Sequence, residues 1–403
     1  MKMPAPKNIV LNKSLLEFLK TEAGSGSILA ICAIVAVVWA NSPFAESYFG
    51  FIHHHFTLSV PGWSLDESVL EWTKEGLMAI FFFVVGLEIK YEIFRGELSS
   101  PQKLALPVIA AIGGMVVPAL VYAGINLLPG GDLRGWSVPM ATDIAFALAI
   151  LGLVGKSLPA SLRVFLLTLA IVDDLGAVMV IGIFYSHGFQ VGYLVAVAAL
   201  LAVMASVKFV SRSPFVLYPL YAVLFVLIWA MSIKSGLGPS LVAVMAAFCV
   251  TLDPGKNGEP VLKQVLHYVH PYVAFGILPF FAFTASGFSL AGAGVDSLTD
   301  PRFLGVTLGL FAGKQLGIFF AAWLAMRLKL AAMPEGATAW QLYGVCLLCG
   351  IGFTMSLYLG ALAFPAGDEA AQIAVKSGVV LGSLLSGCAG ALWLSRKRSQ
   401  EKG

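Results

Sequence analysis

Residues 160–185 read ASLRVFLLTLAIVDDLGAVMVIGIFY. A helix needs about 20 apolar residues to cross a bilayer, and this stretch is long enough, yet it carries two adjacent acids, Asp173 and Asp174, at its middle. At 1.5 Å per residue, Asp173 lies about 15 Å from Arg163, near the midplane of a hydrocarbon layer about 30 Å thick. A charge at that depth costs roughly 2.5–3.5 kcal/mol on insertion scales, and intramembrane ionisable residues are functional candidates by default.

The rest of the chain points to the same solvent. Of 403 residues, 59% are hydrophobic and 12% charged, where soluble domains run at roughly 45–50% and about 25%. The mean hydropathy is +0.88. Apolar runs fall near 25–41, 70–94, 104–126, 134–154, 160–185, 191–210, 215–232, 236–251, 264–286, 303–325, 340–363 and 370–394. This pattern predicts an all-α polytopic membrane protein of about 12 transmembrane helices, with 215–232 and 236–251 the shortest and closest pair. It excludes a soluble enzyme, a disordered scaffold and a nucleic-acid binder. An outer-membrane barrel, whose apolar runs stop near ten residues, is disfavoured.

Lys and Arg set the orientation. Only Lys74, Arg134, Lys234 and Arg302 fall in loops on one side, Lys314 and Lys376 lie inside runs, and the other 19 of 25 share the opposite side. Both termini are therefore expected in the cytoplasm. The expected organisation is a cytoplasmic segment 1–24, a membrane domain 25–394 and a cytoplasmic tail 395–403. The first 20 residues have scattered Lys and no short apolar core with a cleavage site, so no cleaved signal peptide is expected. Between the first two runs, residues 51–65 alternate loosely around Pro61-Gly62, which predicts a short extracytoplasmic β-hairpin. His53, His54 and His55 there are expected to be solvated, because neighbours on a strand point to opposite faces. Cys346-x-x-Cys349 lies in a spanning run without nearby metal-ligating partners and reads as packing, and no cofactor is expected.

Two more buried charges join the aspartates. Asp143 is roughly 13 Å into its run from Arg134, and Lys314 about 16 Å from Phe303, so three spans bring three acids and a base to one depth. A single stapling Asp–Lys pair would leave two carboxylates unexplained. Two spans also carry helix breakers at mid-depth: Pro139 before Ala141-Thr142-Asp143, and Cys349-Gly350-Ile351-Gly352-Phe353-Thr354. Unwound backbone is tolerated there only inside protein or beside a water-filled cavity. If both helices break, half-helix ends of about half a charge each meet in the bilayer; Asp143 would offset the positive ends and Lys314 the negative. The broken runs are the fourth and eleventh, each the middle of a three-span group, which points to inverted repeats with a site at their interface. Asp173 and Asp174 differ by about 100° around their helix, so one can face Lys314 and the other a cavity. A carboxylate there can hold a proton or a small hard cation such as Na⁺, but not both. Competition at one alternately exposed site suffices for cation/proton exchange.

These residues resemble the bacterial NhaA Na⁺/H⁺ antiporters. The resemblance rests on Ala141-Thr142-Asp143-Ile144-Ala145-Phe146-Ala147, Ala170-Ile171-Val172-Asp173-Asp174-Leu175-Gly176-Ala177 and Gly313-Lys314-Gln315-Leu316-Gly317. Val85-Gly86-Leu87-Glu88-Ile89-Lys90, His270-Pro271, Leu278-Pro279-Phe280-Phe281-Ala282-Phe283 and the 349–356 stretch add to it, in order from about 25 to 390. The inverted-repeat rule was drawn in part from this family, so its agreement is not independent support.

The resemblance implies the NhaA fold and a secondary transporter, not an enzyme, of the bacterial inner membrane. Asp174 would be the principal Na⁺ (or Li⁺) ligand, with Asp173 titrating beside it and pairing with Lys314. Thr142 and Asp143 would lie at the first break, and Gly350 and Gly352 at the second. It also implies electrogenic exchange serving Na⁺ and pH homeostasis, switched on at alkaline pH, and a homodimer formed through the hairpin. Glu88, Glu92 and His267 stand where the family places cytoplasmic pH-sensing residues. The departures lie here: Tyr91 replaces a usual basic residue, Leu266 a usual acid, and Gly238 a histidine found in some members.

An intramembrane aspartyl protease also places aspartates in spans. Pro118-Ala119-Leu120 is a tripeptide of that class, but the chain lacks Gly-x-Gly-Asp: Pro129 precedes Gly130-Gly131-Asp132, in a loop. A cation channel would need neither a proton-titrating pair nor a buried Lys.

Overall fold

The computed structural model describes residues 22–400 except 61, 62, 97–100, 156, 157, 187, 210–212, 255–257, 290–297 and 366. The expected Pro61-Gly62 turn and most of the N-terminal segment lie outside these residues.

Among the described residues, helices account for all of the predicted runs. The first five segments are Glu22–Ala40, 69–95, Pro101–Asn126, Leu133–Val154 and Ala160–Phe184. The sixth to ninth are Val191–Phe209, Pro214–Ser235, Pro239–Cys249 and Val261–Ser286. The tenth is Pro301–Arg327, the eleventh the bent pair Ala339–Leu348 and Phe353–Ala363, and the twelfth Glu369–Gln400. Eight are long and apolar enough to cross a membrane, and ten if each bent pair is one crossing. The remaining two depart for visible reasons. Segment 69–95 carries Glu71, Lys74, Glu75, Glu88, Lys90 and Glu92. Pro239–Cys249 has only 11 residues; Gly236, at φ 84°, turns the chain sharply into it, and the Lys90 ammonium holds its far end through the carbonyls of Phe248 and Val250, both at 2.6 Å.

The extracytoplasmic piece differs in its bounds from the sequence expectation. A short helix, Ala45–Ile52, bends 118° away from the first segment, so Phe51 is helical. Strands β1 (His55–Val60) and β2 (Trp63–Ser68) then pair antiparallel, His55 opposite Ser68. The second segment starts directly from β2, because Ser68 and Glu71 form a reciprocal capping box that satisfies two amides. The three histidines are exposed.

Burial sorts the segments. In the fourth, fifth and tenth, 61% of the apolar window is buried within the protein, against 22% in the sixth and 28% in the seventh. The acids and the lysine therefore sit on the innermost helices, and the sixth and seventh face outward. The third and tenth segments meet closely because small residues face each other: a Cβ on Gly113 would overlap the carbonyl oxygen of Gly317, and one on Gly317 that of Gly113. Without a hydrophobic drive between helices in lipid, such small-residue contacts are how spans approach.

Candidate functional site

The fourth segment is two half-helices. A 3₁₀ stretch, Leu133–Met140, ends after Pro139; Ala141 to Asp143 are extended, and an α-helix resumes at Ile144. The eleventh segment ends its first half at Leu348 and resumes at Phe353, with a 45° bend. Gly350 and Gly352 lie in the break as the sequence suggested, and close approach explains the residue type. A Cβ on Gly350 would come within 2.6 Å of Leu310 O, and one on Gly352 within 3.1 Å of Ala141 O.

The breaks cross each other and exchange the hydrogen bonds that each lost. Asp143 N–H donates to Ile351 O (2.6 Å), and Ser356 Oγ donates to Val138 O (2.7 Å). The Thr142 hydroxyl lies 2.9 Å from Cys349 O and 2.8 Å from Asp173 Oδ2; with one proton, it can donate to only one at a time.

Asp143 sits where two helix N-termini meet. Its Oδ1 accepts from Phe146 N (3.1 Å), in the first turn of Ile144–Val154. Its Oδ2 accepts from Thr354 N (3.0 Å) and Thr354 Oγ1 (2.5 Å), at the start of Phe353–Ala363. One carboxylate thus faces two partial positive ends.

Lys314 serves the opposite ends. It closes a π-helical stretch, Gly309–Lys314, a wider turn that recurs at functional sites. Its ammonium donates to Met140 O, the last carbonyl of the first half-helix, and to Asp173 Oδ2 at 2.6 Å. Both side chains of this pair are 0% exposed. Asp174, one residue on, is 2% exposed. Among the described residues, Oδ1 of Asp173 and Oδ1 of Asp174 have no hydrogen-bond partner. The oxygens of Asp173, Asp174 and Thr142 are the kind of ligand that suits hard cations. Cys346 and Cys349 are buried and unbridged.

The pH-sensing candidates are spread more widely. Glu88 and Glu92 are partly buried on the second segment, and His267 is exposed on the ninth, its ring beside Tyr268. The histidine within reach of Glu88 is His270, Nε2 to Oε1 at 4.0 Å. Sequence reasoning also missed Thr354 as the partner of Asp143 and Met140 O as the partner of Lys314. Thr354 had been visible only as a neighbour of the glycines, and a backbone carbonyl has no sequence signature.

The hairpin end of the crossing carries an ion-pair cluster. Arg134 reaches Asp132 (2.5 Å) and Asp368 (3.1 Å), linking the start of the fourth segment to that of the twelfth. The Arg134 guanidinium holds the Asp132 carboxyl below the usual carboxylate range.

Comparisons with known proteins agree with this architecture. The sequence profile of the family described as Na⁺/H⁺ antiporter 1 matches residues 16–394. A Syntrophotalea carbinolica protein named Na(+)/H(+) antiporter NhaA 1 is 44% identical over 385 residues, 95% of this chain and 96% of its own. NhaA antiporters of Rhodospirillum rubrum (44% over 393 residues, 96% and 98%) and Bordetella parapertussis (46% over 388 residues, 94% and 95%) match similarly. Two broken helices crossing beside a buried Asp–Lys pair, in a chain matched to these relatives over nearly its full length, place it in one family: the chain belongs to the NhaA Na⁺/H⁺ antiporters.

Proposed function

We propose that this chain exports Na⁺ or Li⁺ from the bacterial cytoplasm in exchange for external protons, as a multi-pass inner-membrane antiporter with both termini cytoplasmic. The observation that carries the reading is the pair of buried carboxyls with free oxygens, Asp173 Oδ1 and Asp174 Oδ1, beside Lys314 at the crossing of two broken helices. Asp174 takes the cation as principal ligand. Asp173 exchanges its partner between Lys314 and a proton, and Thr142 offers its hydroxyl to the same site. Asp143 keeps the two N-termini together and contributes field to the site.

Competition is the coupling. A carboxylate that holds Na⁺ cannot hold a proton, so alternate exposure of one site moves the two ions in opposite directions. Two titrating groups against one cation make the exchange electrogenic. Glu88, Glu92 and His267, with His270 close to Glu88, are the groups proposed to adjust activity to cytoplasmic pH. The hairpin, β1 and β2, is the proposed homodimer contact.

The test is dissipation of a pH gradient in everted vesicles by Na⁺, Li⁺ or K⁺ across a range of pH. Na⁺ and Li⁺ are expected to dissipate it and K⁺ not. Asp174→Asn is expected to abolish the response, and an unaltered response in that variant would remove the site assignment. Sodium flux without proton movement would mean a channel.

A further inference from the structure

Lys314 does not stand at the crossing unaided. In an α-helix the backbone amide of Gln315 would meet Phe311 O. Here it donates to Ala312 O, and Phe311 O takes its donor from the side chain of the same residue, Gln315 Nε2. The other end of that side chain is also used: the Tyr343 hydroxyl donates to Gln315 Oε1 at 2.6 Å. The polarity of this relay is fixed. A carbonyl can only accept, so Nε2 must face Phe311 O, and Oε1 is left for a hydroxyl proton. Gln315 is buried, where a lost partner is costly.

The turn that the relay closes is wedged against the first break. A Cβ on Gly309 would come within 2.7 Å of Pro139 Cβ, and one on Gly313 within 2.8 Å of Pro118 Cα. The last residue of the turn is Lys314, whose ammonium holds Met140 O and Asp173 Oδ2. The far end of the relay is held as well. The Tyr343 ring lies edge-on to Phe319 (centroids 5.1 Å apart) and to Trp393 (5.0 Å), and Trp393 stacks on Trp340 at 3.7 Å.

Tyr343 belongs to Ala339–Leu348, the first half of the eleventh segment. The same half-helix leads into Cys349, whose carbonyl lies 2.9 Å from the Thr142 hydroxyl. Thr142 and Lys314 are the donors that reach Asp173 Oδ2, at 2.8 and 2.6 Å. One half-helix thus touches both, through Cys349 O on one side and through Tyr343, Gln315 and Phe311 O on the other.

We propose that Gln315 and Tyr343 are positioning residues: they hold the π turn so that the Lys314 ammonium stays on Asp173 Oδ2, and they tie that ammonium to the half-helix that also meets Thr142. The proposal rests on the reading of Asp173 and Lys314 as part of the exchange site. A tie with a structural role alone sets how many molecules are folded. A positioning tie sets how well each folded molecule takes Na⁺. When the ammonium leaves, Asp173 takes a proton, and a neutral Asp173 beside Asp174 attracts Na⁺ less.

The test compares proteoliposomes of the full chain with Tyr343→Phe, Gln315→Leu and the double variant at equal protein. The apparent KM for Na⁺ is expected to rise several-fold in each, with little change in maximal rate. The double variant is expected to match Gln315→Leu, because Tyr343 acts only through Gln315. A lower maximal rate at unchanged KM, or rises that add in the double variant, would overturn the proposal. A melting cycle in detergent reads the tie without transport. Tyr343→Phe is expected to lower the midpoint of the unaltered chain, and to lower that of Lys314→Ala by less than half as much. Lys314→Met takes the place of the alanine variant if that chain does not fold. Equal shifts in both backgrounds would overturn the proposal even where exchange is intact. Absence of Na⁺-driven exchange in the unaltered chain would remove the exchange reading and leave the tie to be decided by the melting cycle.

Discussion

Asp143 and Asp174 are both buried to within 2% of full enclosure, yet their oxygens are treated in opposite ways. Asp143 accepts three hydrogen bonds from two helix starts and belongs to the architecture. Asp174 leaves Oδ1 without a partner among the described residues. Asp173 stands between them, one oxygen given to Lys314 and Thr142 and the other free. A buried acceptor left unmade is expensive, about 1–3 kcal/mol and more when charged. The protein thus satisfies one carboxylate at two helix starts and leaves an oxygen free on each of the other two, and the proposed ion site rests on that difference.

The sharpest way to break this contrast is Asp174→Asn. Exchange driven by Na⁺ is expected to vanish while the melting temperature in detergent holds or rises, since the change removes a charge and no hydrogen bond seen here. Retained exchange, or a collapse in melting temperature, would make Asp174 structural. Next comes Lys314→Ala, which strands Asp173 and Met140 O. Loss of one partner from a buried pair costs about 3–5 kcal/mol, so a large drop in thermal stability is expected, together with altered proton coupling in vesicles. An unchanged melting profile would remove the pair from the account.

Asp143→Ala tests the other side of the contrast. It leaves the Phe146 and Thr354 donors without their acceptor, at about 1–3 kcal/mol for each group left unpaired, and stability should fall more than Na⁺ dependence does. If exchange were lost as completely as in Asp174→Asn, the division between joint and site would fail. The smallest effect is expected from Arg134→Gln, at a half-exposed bridge worth about 0–1 kcal/mol. Asp132 is held below its unfolded value by Arg134. Its contribution is therefore present above the unfolded pKa and lost as pH falls through the folded one. The melting difference between Arg134→Gln and the unaltered chain should shrink on acidification; a constant difference would assign it to packing on Phe364, 5.0 Å from the guanidinium.

Much of this was legible in the sequence, because a charge in an apolar run and a glycine or proline at mid-depth are local signals. Asp143, Asp173, Asp174, Lys314, Gly350 and Gly352 all stood out in that way. What could not be read depends on contacts across long chain separations. Thr354 meets Asp143 from 211 residues away, and Lys314 finds a backbone carbonyl. The π-helical turn at Gly309–Lys314 leaves no periodicity of its own in so short a stretch. Charge did not hide the second segment: its acids weaken the hydropathy signal, yet the run read as 70–94 is helix over 69–95, with its aromatic stretch packed inside. The hairpin shifted because Ala45–Ile52 continues as helix and β2 runs to the capping box at Ser68.

The exchange of hydrogen bonds between the two breaks also bears on how the protein is made. When the ribosome has delivered the fourth segment, Ile351 and Thr354 do not yet exist, so the Asp143 amide and Oδ2 lack the partners they have in the finished fold. Until about two hundred further residues are inserted, that segment must stay incompletely satisfied or lean on lipid, water or the translocation machinery. Only the arrival of the eleventh segment completes it, so the crossing on which the proposed ion site rests is finished late in biogenesis.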